Sequence, residues 1–289
     1  MTSGKERTRT SLAQGGDILR RIIVAVLSDT HGGSKRGLCS PDVKLQDDDR
    51  GEYTPTLRAG QQWFWPHYIG FKDRIAEIAG RSEIHVLHTG DICQGTRFAD
   101  DPMSMRMADH LAIAAANMAP WLALPRCKSL TLVTGTGAHD FGEGSAEEAV
   151  SQYIGSKQVR LAWHDLIDID GLLIDVAHHG PHPGTRSWTE GSVARFYLRS
   201  CLYKEHPPAD VYLRGHYHEM VRVPLWHEHK MHNLLISPAW QWPGPHSIQV
   251  TQSRASISCG MWALEIVGGR LVEIHELWEE KDLRRRVKL

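Results

Sequence analysis

The sequence has no surplus of charge of either sign: 33 Lys and Arg stand against 34 Asp and Glu, a formal net charge of −1. No global positive field is therefore available to hold nucleic acid or an anionic membrane by counterion release, so any contact with nucleic acid has to be local. Cysteine is scarce as well. The five present, Cys39, Cys93, Cys127, Cys201 and Cys259, are odd in number, widely spaced and include no C-x-x-C pair. That argues against a disulfide framework or a cysteine-based zinc site and makes a reducing cytoplasm the expected compartment. The opening residues hold no apolar core of a signal peptide, and no stretch approaches the roughly eighteen apolar residues of a membrane span, so neither secretion nor membrane insertion is expected.

What is present is a chain of 289 residues, long enough to bury a core unaided, with 18 histidines, the side chain that most often ligates metal near neutral pH. At roughly 150 residues per domain the length allows two domains or one large α/β domain. Strands alternate with helical stretches, the pattern of an α/β sheet protein. Residues 21–29 are a continuous β-branched apolar run, expected to be a strand buried on both faces, and further strands are expected at 84–87, 130–133, 172–176 and 210–213. Residues 33–60, with three Asp at 47–49, read as an irregular surface insertion. The segment 61–80 reads as helical in its second half, and 104–119 as a helix stopped by Pro120. Ser145, Glu147 and Glu148 open another helix with acidic residues placed to suit its dipole. A helical stretch near 188–205 and antiparallel strands in the last third complete one domain over 21–280, between a polar tail (1–20) and a basic one (281–289).

Five of the strands end in turns bearing Asp or His: Asp29 with His31, then Asp91, His139 with Asp140, His178 with His179, and His216 with His218. Open α/β sheets bind ligands at the carboxyl ends of their strands, so the turns are expected to converge on one crevice. Residues two apart on an extended segment point the same way, which aims Asp29 with His31, and His216 with His218, at one place. Mixed carboxylate and imidazole ligands suit Zn, Mn or Fe. Two such ions can clamp a phosphoryl group and activate water, while a neighbouring histidine protonates the leaving group.

The ordered set D-x-H (Asp29-Thr30-His31), G-D (Gly90-Asp91), G to H-D (Gly135 to Asp140), a lone strand-end His178 and G-H-x-H (Gly215-His216-Tyr217-His218) resembles the calcineurin-like metallophosphoesterase family over about residues 22–218. The resemblance implies a four-layer αββα sandwich with two mixed β-sheets and a centre of two divalent ions. It makes Asp29, His31 and His218 ligands of one ion, Asp91 the bridge, and His178 and His216 ligands of the second. His139 then matches the catalytic histidine that is not a ligand, and Asp140 the acid that orients it. The family's usual G-N-H-D or G-N-H-E places an Asn on the second ion, whereas this chain reads G-T-G-A-H-D, so Thr136, a backbone carbonyl or water stands there. His179 is left as a further support of that ion or a substrate contact. The implied activity is hydrolysis of a phosphate ester, diesters favoured, with nucleotides and nucleic acid among the candidate substrates. A phosphomonoesterase or protein phosphatase is the alternative within the class. A metal-binding scaffold without turnover is the alternative outside it.

Other features take plainer readings. W-H-E-H-K-M-H, with His227, His229 and His232, is similar to the H-x-H-x-D-H of metallo-β-lactamase-type hydrolases but has Met231 where the Asp belongs, so a solvated hairpin is expected. Trp63, Phe64, Trp65, Trp240 and Trp242 read as core or lid aromatics. Arg186 reads as a surface residue, and Arg284, Arg285, Arg286 and Lys288 as a solvated terminus.

Overall fold

A computed structural model describes residues 19–47, 49, 51–97, 101–142, 144–183, 191–244, 248, 256–285 and 287. Arg186, Arg286, Lys288 and most of the polar tail lie outside the described residues. Strand β1 (Arg21–Leu27) is buried along its length beyond Arg21. Its Ile22, Val24 and Val26 face one hydrophobic layer, and its Ile23, Ala25 and Leu27 face another. A strand apolar on both faces must lie inside a covered sheet. It does: β4 (Glu83–His88), β5 (Cys127–Val133) and β6 (Val159–Ala162) run parallel to it on one side, with β12 (Ser256–Val267) antiparallel to it on the other and β13 (Arg270–Asp282) antiparallel to β12 beyond.

The second sheet has the order β10 (Val221–His227), β11 (Lys230–Ile236), β9 (Val211–Arg214), β8 (Leu172–Ala177) and β7 (His164–Ile169). Its middle strands β11, β9 and β8 are parallel and its outer pairs antiparallel. The two sheets bury a shared layer that includes Val24, Ile174, Leu213, Leu235 and Leu264. Helices α1 (Ala59–Ala79), α2 (Met107–Leu122) and α3 (Ala146–Ile154) cover the outer face of the first sheet, and α4 (Ser192–Lys204) that of the second. The expected four-layer sandwich with two mixed sheets is the architecture that forms. No described helix is long and apolar enough to cross a membrane, and all five cysteines are buried and free.

Several local expectations need correction. Helix α1 occupies all of Ala59–Ala79 and contains Pro66, and α2 runs through Pro120, with the Ala123 amide reaching the Ala119 carbonyl at 2.9 Å. A proline removes one helical hydrogen bond, and here buried Phe64, Tyr68, Met118 and Trp121 on either side of each proline hold the helix together. Strands β6 and β7 lack a buried apolar run: one is a four-residue edge, and the other carries two aspartates among exposed or half-buried apolar residues. The 33–60 insertion carries a ribbon of β2 (Leu45–Asp47) and β3 (Gly51–Tyr53), with Leu45 buried beside Ile113. Glu228 and His229 do form a left-handed hairpin turn, but His232 is buried, with Nδ1 2.6 Å from the Ala209 carbonyl. Trp63, Phe64, Trp240 and Trp242 pack ring to ring as core.

Because Leu264 is fully buried between the sheets, Leu264→Ala is expected to cost about 2–5 kcal/mol in urea denaturation. Leu161→Ala, at a half-exposed position, should cost less than about 0.5 kcal/mol.

Candidate metal centre

The turns after β1, β4, β5, β8 and β9 meet at one end of the sandwich. They continue the strand ladder irregularly: the Asp29 amide bonds the Gly90 carbonyl at 3.0 Å, His31 the Asp91 carbonyl at 3.0 Å, and Gly215 the His178 carbonyl at 2.9 Å. The side chains do not converge by extended alternation, as the i, i+2 spacing suggests. Asp29, His31, Asp91, His216 and His218 all have positive φ, between 45° and 73°, a left-handed conformation costing roughly 1–2 kcal/mol at each non-glycine residue. Two glycines make room for the meeting. A Cβ on Gly90 (φ 108°) would lie 2.4 Å from Nδ1 of His178, and one on Gly215 would lie 2.8 Å from Oδ2 of Asp29.

Asp29, His31 and His218 form the first group. Asp29 is fully buried; its Oδ2 accepts from the Ser28 hydroxyl and, at 3.0 Å, from the His216 amide. Among the described residues its Oδ1 has no hydrogen-bond partner; it stands 3.3 Å from Nε2 of His218 and 3.9 Å from Nε2 of His31, those two nitrogens being 3.3 Å apart. Metal–ligand bonds of about 2.0–2.2 Å place adjacent ligand atoms about 3–3.5 Å apart, so an orphaned carboxylate oxygen facing two imidazole nitrogens fits a divalent cation. Burial would raise the Asp29 carboxyl, but His218 and the charge of His178 outweigh it and keep it ionised. Burial and the charge of His139 hold His31 well below the usual histidine range, neutral and fit to ligate.

Asp91, His178, His216 and Thr136 form the second group. Asp91 Oδ1 accepts from the Thr136 amide at 2.6 Å. Its Oδ2 lies 3.1 Å from His178 Nε2, 3.3 Å from the Thr136 hydroxyl and 3.7 Å from His139 Nε2. The Thr136 hydroxyl is also 3.2 Å from both His178 Nε2 and His216 Nδ1, among the donors where the resemblance leaves a place open. Nδ1 of His178 donates to the Thr89 carbonyl at 2.7 Å, which turns Nε2 into the site. Burial opposes protonation of His178, yet its bond to Asp91 and the charges of Asp29 and Asp91 raise it to about 9. His179 is exposed, with its ring 4.7 Å from that of His216, and is grouped with His178 and His216 as a possible ligand.

His139 and Asp140 separate. His139 closes a single 3-10 turn, Gly137–His139, with Nδ1 2.7 Å from the Gln94 carbonyl and Nε2 toward Asp91. Asp140, expected to orient that ring, instead accepts from the Ala146 amide at 3.0 Å, which fixes the start of α3. A backbone carbonyl takes the orienting role, and a sequence pattern has no sign of it.

Two supports escaped the sequence. Glu147, in the first turn of α3, is buried beneath the site and accepts from the amides of Ile92 at 3.1 Å and Gly135 at 3.2 Å, tying the Asp91 and Thr136 turns together. His88, held neutral by burial, which lowers it to about 4, accepts from the Gly90 amide and faces the Thr30 hydroxyl at 2.9 Å; that hydroxyl donates to the Ile92 carbonyl. It joins the two turns that carry the carboxylates.

Burial pushes the Glu147 carboxyl up to about 7, against the two amides, with Asp91 adding to the rise. A folded value above the unfolded one means that stability is fully present below about pH 4.5 and is lost as pH rises through about 7. In chelator-treated protein, unfolding free energy should fall by about 2–3 kcal/mol between pH 5 and 8 through this group. The wild-type profile minus that of Glu147→Gln isolates the loss.

No family model and no curated protein matches this sequence. Among solved structures, a conserved uncharacterized protein from Streptococcus pneumoniae, described as a predicted phosphoesterase, aligns over 91% of this chain and 98% of its own at 14% identity, with a TM-score of 0.36. The sulfate thiohydrolase SoxB of Thermus thermophilus, in complex with glycerol, aligns over 88% of this chain and 56% of its own at 11% identity, with a TM-score of 0.41. Both likenesses are distant.

Proposed function

We propose that this protein is a metal-dependent phosphoesterase, with phosphodiesters favoured over monoesters. The observation that carries the reading is the meeting of two donor groups across Asp91: an orphaned Asp29 oxygen with His31 and His218 on one side, His178, His216 and Thr136 on the other. Asp29, His31 and His218 would hold one divalent ion, His178, His216 and the Thr136 hydroxyl the other, and Asp91 would face both. Bound there, Mn, Fe or Zn supplies Lewis acidity at a phosphoryl oxygen and lowers the pKa of a coordinated water.

The chain's own groups do the rest. Asp29 and Asp91 put two buried negative charges under the site, which draws in cations. His139 commits Nδ1 to Gln94, so Nε2 is the atom that carries a proton toward a leaving alkoxide. Asp91 Oδ2 stands 3.7 Å from that nitrogen. Protonation of His178 up to about 9 competes with ligation, so metal uptake at neutral pH must displace that proton. Affinity for Mn²⁺ should therefore rise from pH 6.5 to 8.5, with proton release measurable by calorimetry in buffers of differing ionisation enthalpy; His178→Gln should release fewer protons.

Chelator-stripped protein resupplied with Mn²⁺ should hydrolyse bis-p-nitrophenyl phosphate faster than p-nitrophenyl phosphate. Asp91→Asn should abolish turnover, and His139→Ala should lower kcat by about 10²–10⁴-fold while leaving metal content unchanged. Metal-loaded protein inert on every phosphate ester would instead favour a binding protein.

A further inference from the structure

The hairpin of β12 and β13 is longer than the sheet it completes. The β1 pairing ends at Val26 opposite Trp262, so residues 256–261 run on past the carboxyl end of β1, on the side of the metal centre. Trp262, Leu264 and Ile266 bury the inner face of β12 against the second sheet. On that same face, Ser258 and Gly260 pair with Glu280 and Trp278 across the hairpin. With the turn around His218 and the segment around Gln241, this overhang borders a cleft of about 520 Å³ that His218 also lines, so the cleft adjoins the first donor group. That volume suits a small-molecule site.

The lining restricts what enters. Arg222 is 3.2 Å from Glu276, so among the described lining residues its charge is already matched, which disfavours a second phosphate or a polyanionic strand. Trp278 is 49% exposed, and Gly260 opposite it leaves space that a Cβ would close to 2.9 Å from the Trp278 Cβ. Trp262 lines the cleft with an indole N–H that is buried and, among the described residues, without an acceptor. Gln241 bonds the Gln94 side chain at 2.8 Å, and the Gln94 carbonyl holds His139, so the cleft is also joined to the proton donor. Among the described residues, an aromatic face, an unused donor and no free cation describe an uncharged, planar arm that carries hydrogen-bond acceptors.

We propose that this cleft binds the nucleoside arm of a small phosphodiester, its base stacked on Trp278 and a base acceptor meeting the Trp262 N–H. This rests on the phosphoesterase reading for turnover but not for binding, and the test separates the two. Thymidine is titrated into chelator-treated protein and followed by tryptophan fluorescence, with Trp278→Ala and the core-filling Trp262→Phe in parallel. With Mn²⁺, thymidine 5′-(4-nitrophenyl phosphate), methyl 4-nitrophenyl phosphate and 4-nitrophenyl phosphorylcholine are then compared. Expected are saturable thymidine binding weakened in both variants and a kcat/KM for the thymidine ester about tenfold or more above the methyl ester, an advantage that Trp278→Ala removes. Thymidine binding without turnover of any ester keeps the cleft assignment and sinks the phosphoesterase reading. Absence of thymidine binding, equal use of the three esters, or preference for the choline ester overturns the cleft assignment.

Discussion

Everything in this site turns on keeping Asp91 ionised while it is almost wholly buried. Burial of a carboxylate is costly unless opposite charge and hydrogen bonds surround it. Asp91 has the Thr136 amide on one oxygen and His178, the Thr136 hydroxyl and, farther off, His139 on the other, and together these outweigh burial and hold it below the ordinary carboxylate range. The same surroundings raise His178 and thereby couple the charge of the metal-free site to pH. A buried anion so arranged is a place prepared for cations.

The preparation has a backbone cost. Left-handed φ values at Asp29, His31, Asp91, His216 and His218 are each unfavourable for an L-residue with a side chain, and together they come to several kcal/mol. Such turns persist only where their surroundings over-determine them. Here the surroundings are two sheets packed face to face, the Glu147 carboxylate bonding two turns from below, and His88 joining the Asp29 and Asp91 turns. The Trp240 amide adds a bond to the Asp29 carbonyl at 3.0 Å, anchoring the same turn from the segment after β11.

How much of this was legible in the sequence depends on whether the signal was local. Strand β1, the Ser145 cap on α3 and the five Asp- and His-bearing turns were all readable, because apolar runs, caps and turn residues are features of neighbouring positions. Proline 120 misled, since propensity is local and the burial that overrides it is not. The order of the Asp- and His-bearing turns was visible, but the groups that support them were not. Nothing in S-A-E-E distinguishes Glu147, buried beneath two loops, from Glu148, which lies at the exposed start of the same helix. Asp140 beside His139 suggested a pair, and only the folded chain shows that one side chain holds a helix and the other a carbonyl.

The strand ends of the second sheet show the same economy of placement. Arg214, 1% exposed, lies two residues before His216, and Asp175 three before His178. The guanidinium meets Asp175 Oδ1 at 2.5 Å and the Tyr197 hydroxyl at 2.8 Å, and Nε2 of His164 is 2.9 Å from the other Asp175 oxygen. A buried ion pair gains little net stability, because desolvation of both charges offsets their attraction, but removing one partner strands the other at a cost of about 3–5 kcal/mol. Its contribution is therefore to geometry: it locks β8 to β9, and both to α4 through Tyr197, immediately before the two turns that present His178 and His216. Gly180 lies against the Arg214 stem, where a Cβ would come within 2.7 Å of its Cγ. The chain leaving His178 and His179 is thus packed on the arginine that precedes His216, and the two second-group histidines share one rigid base.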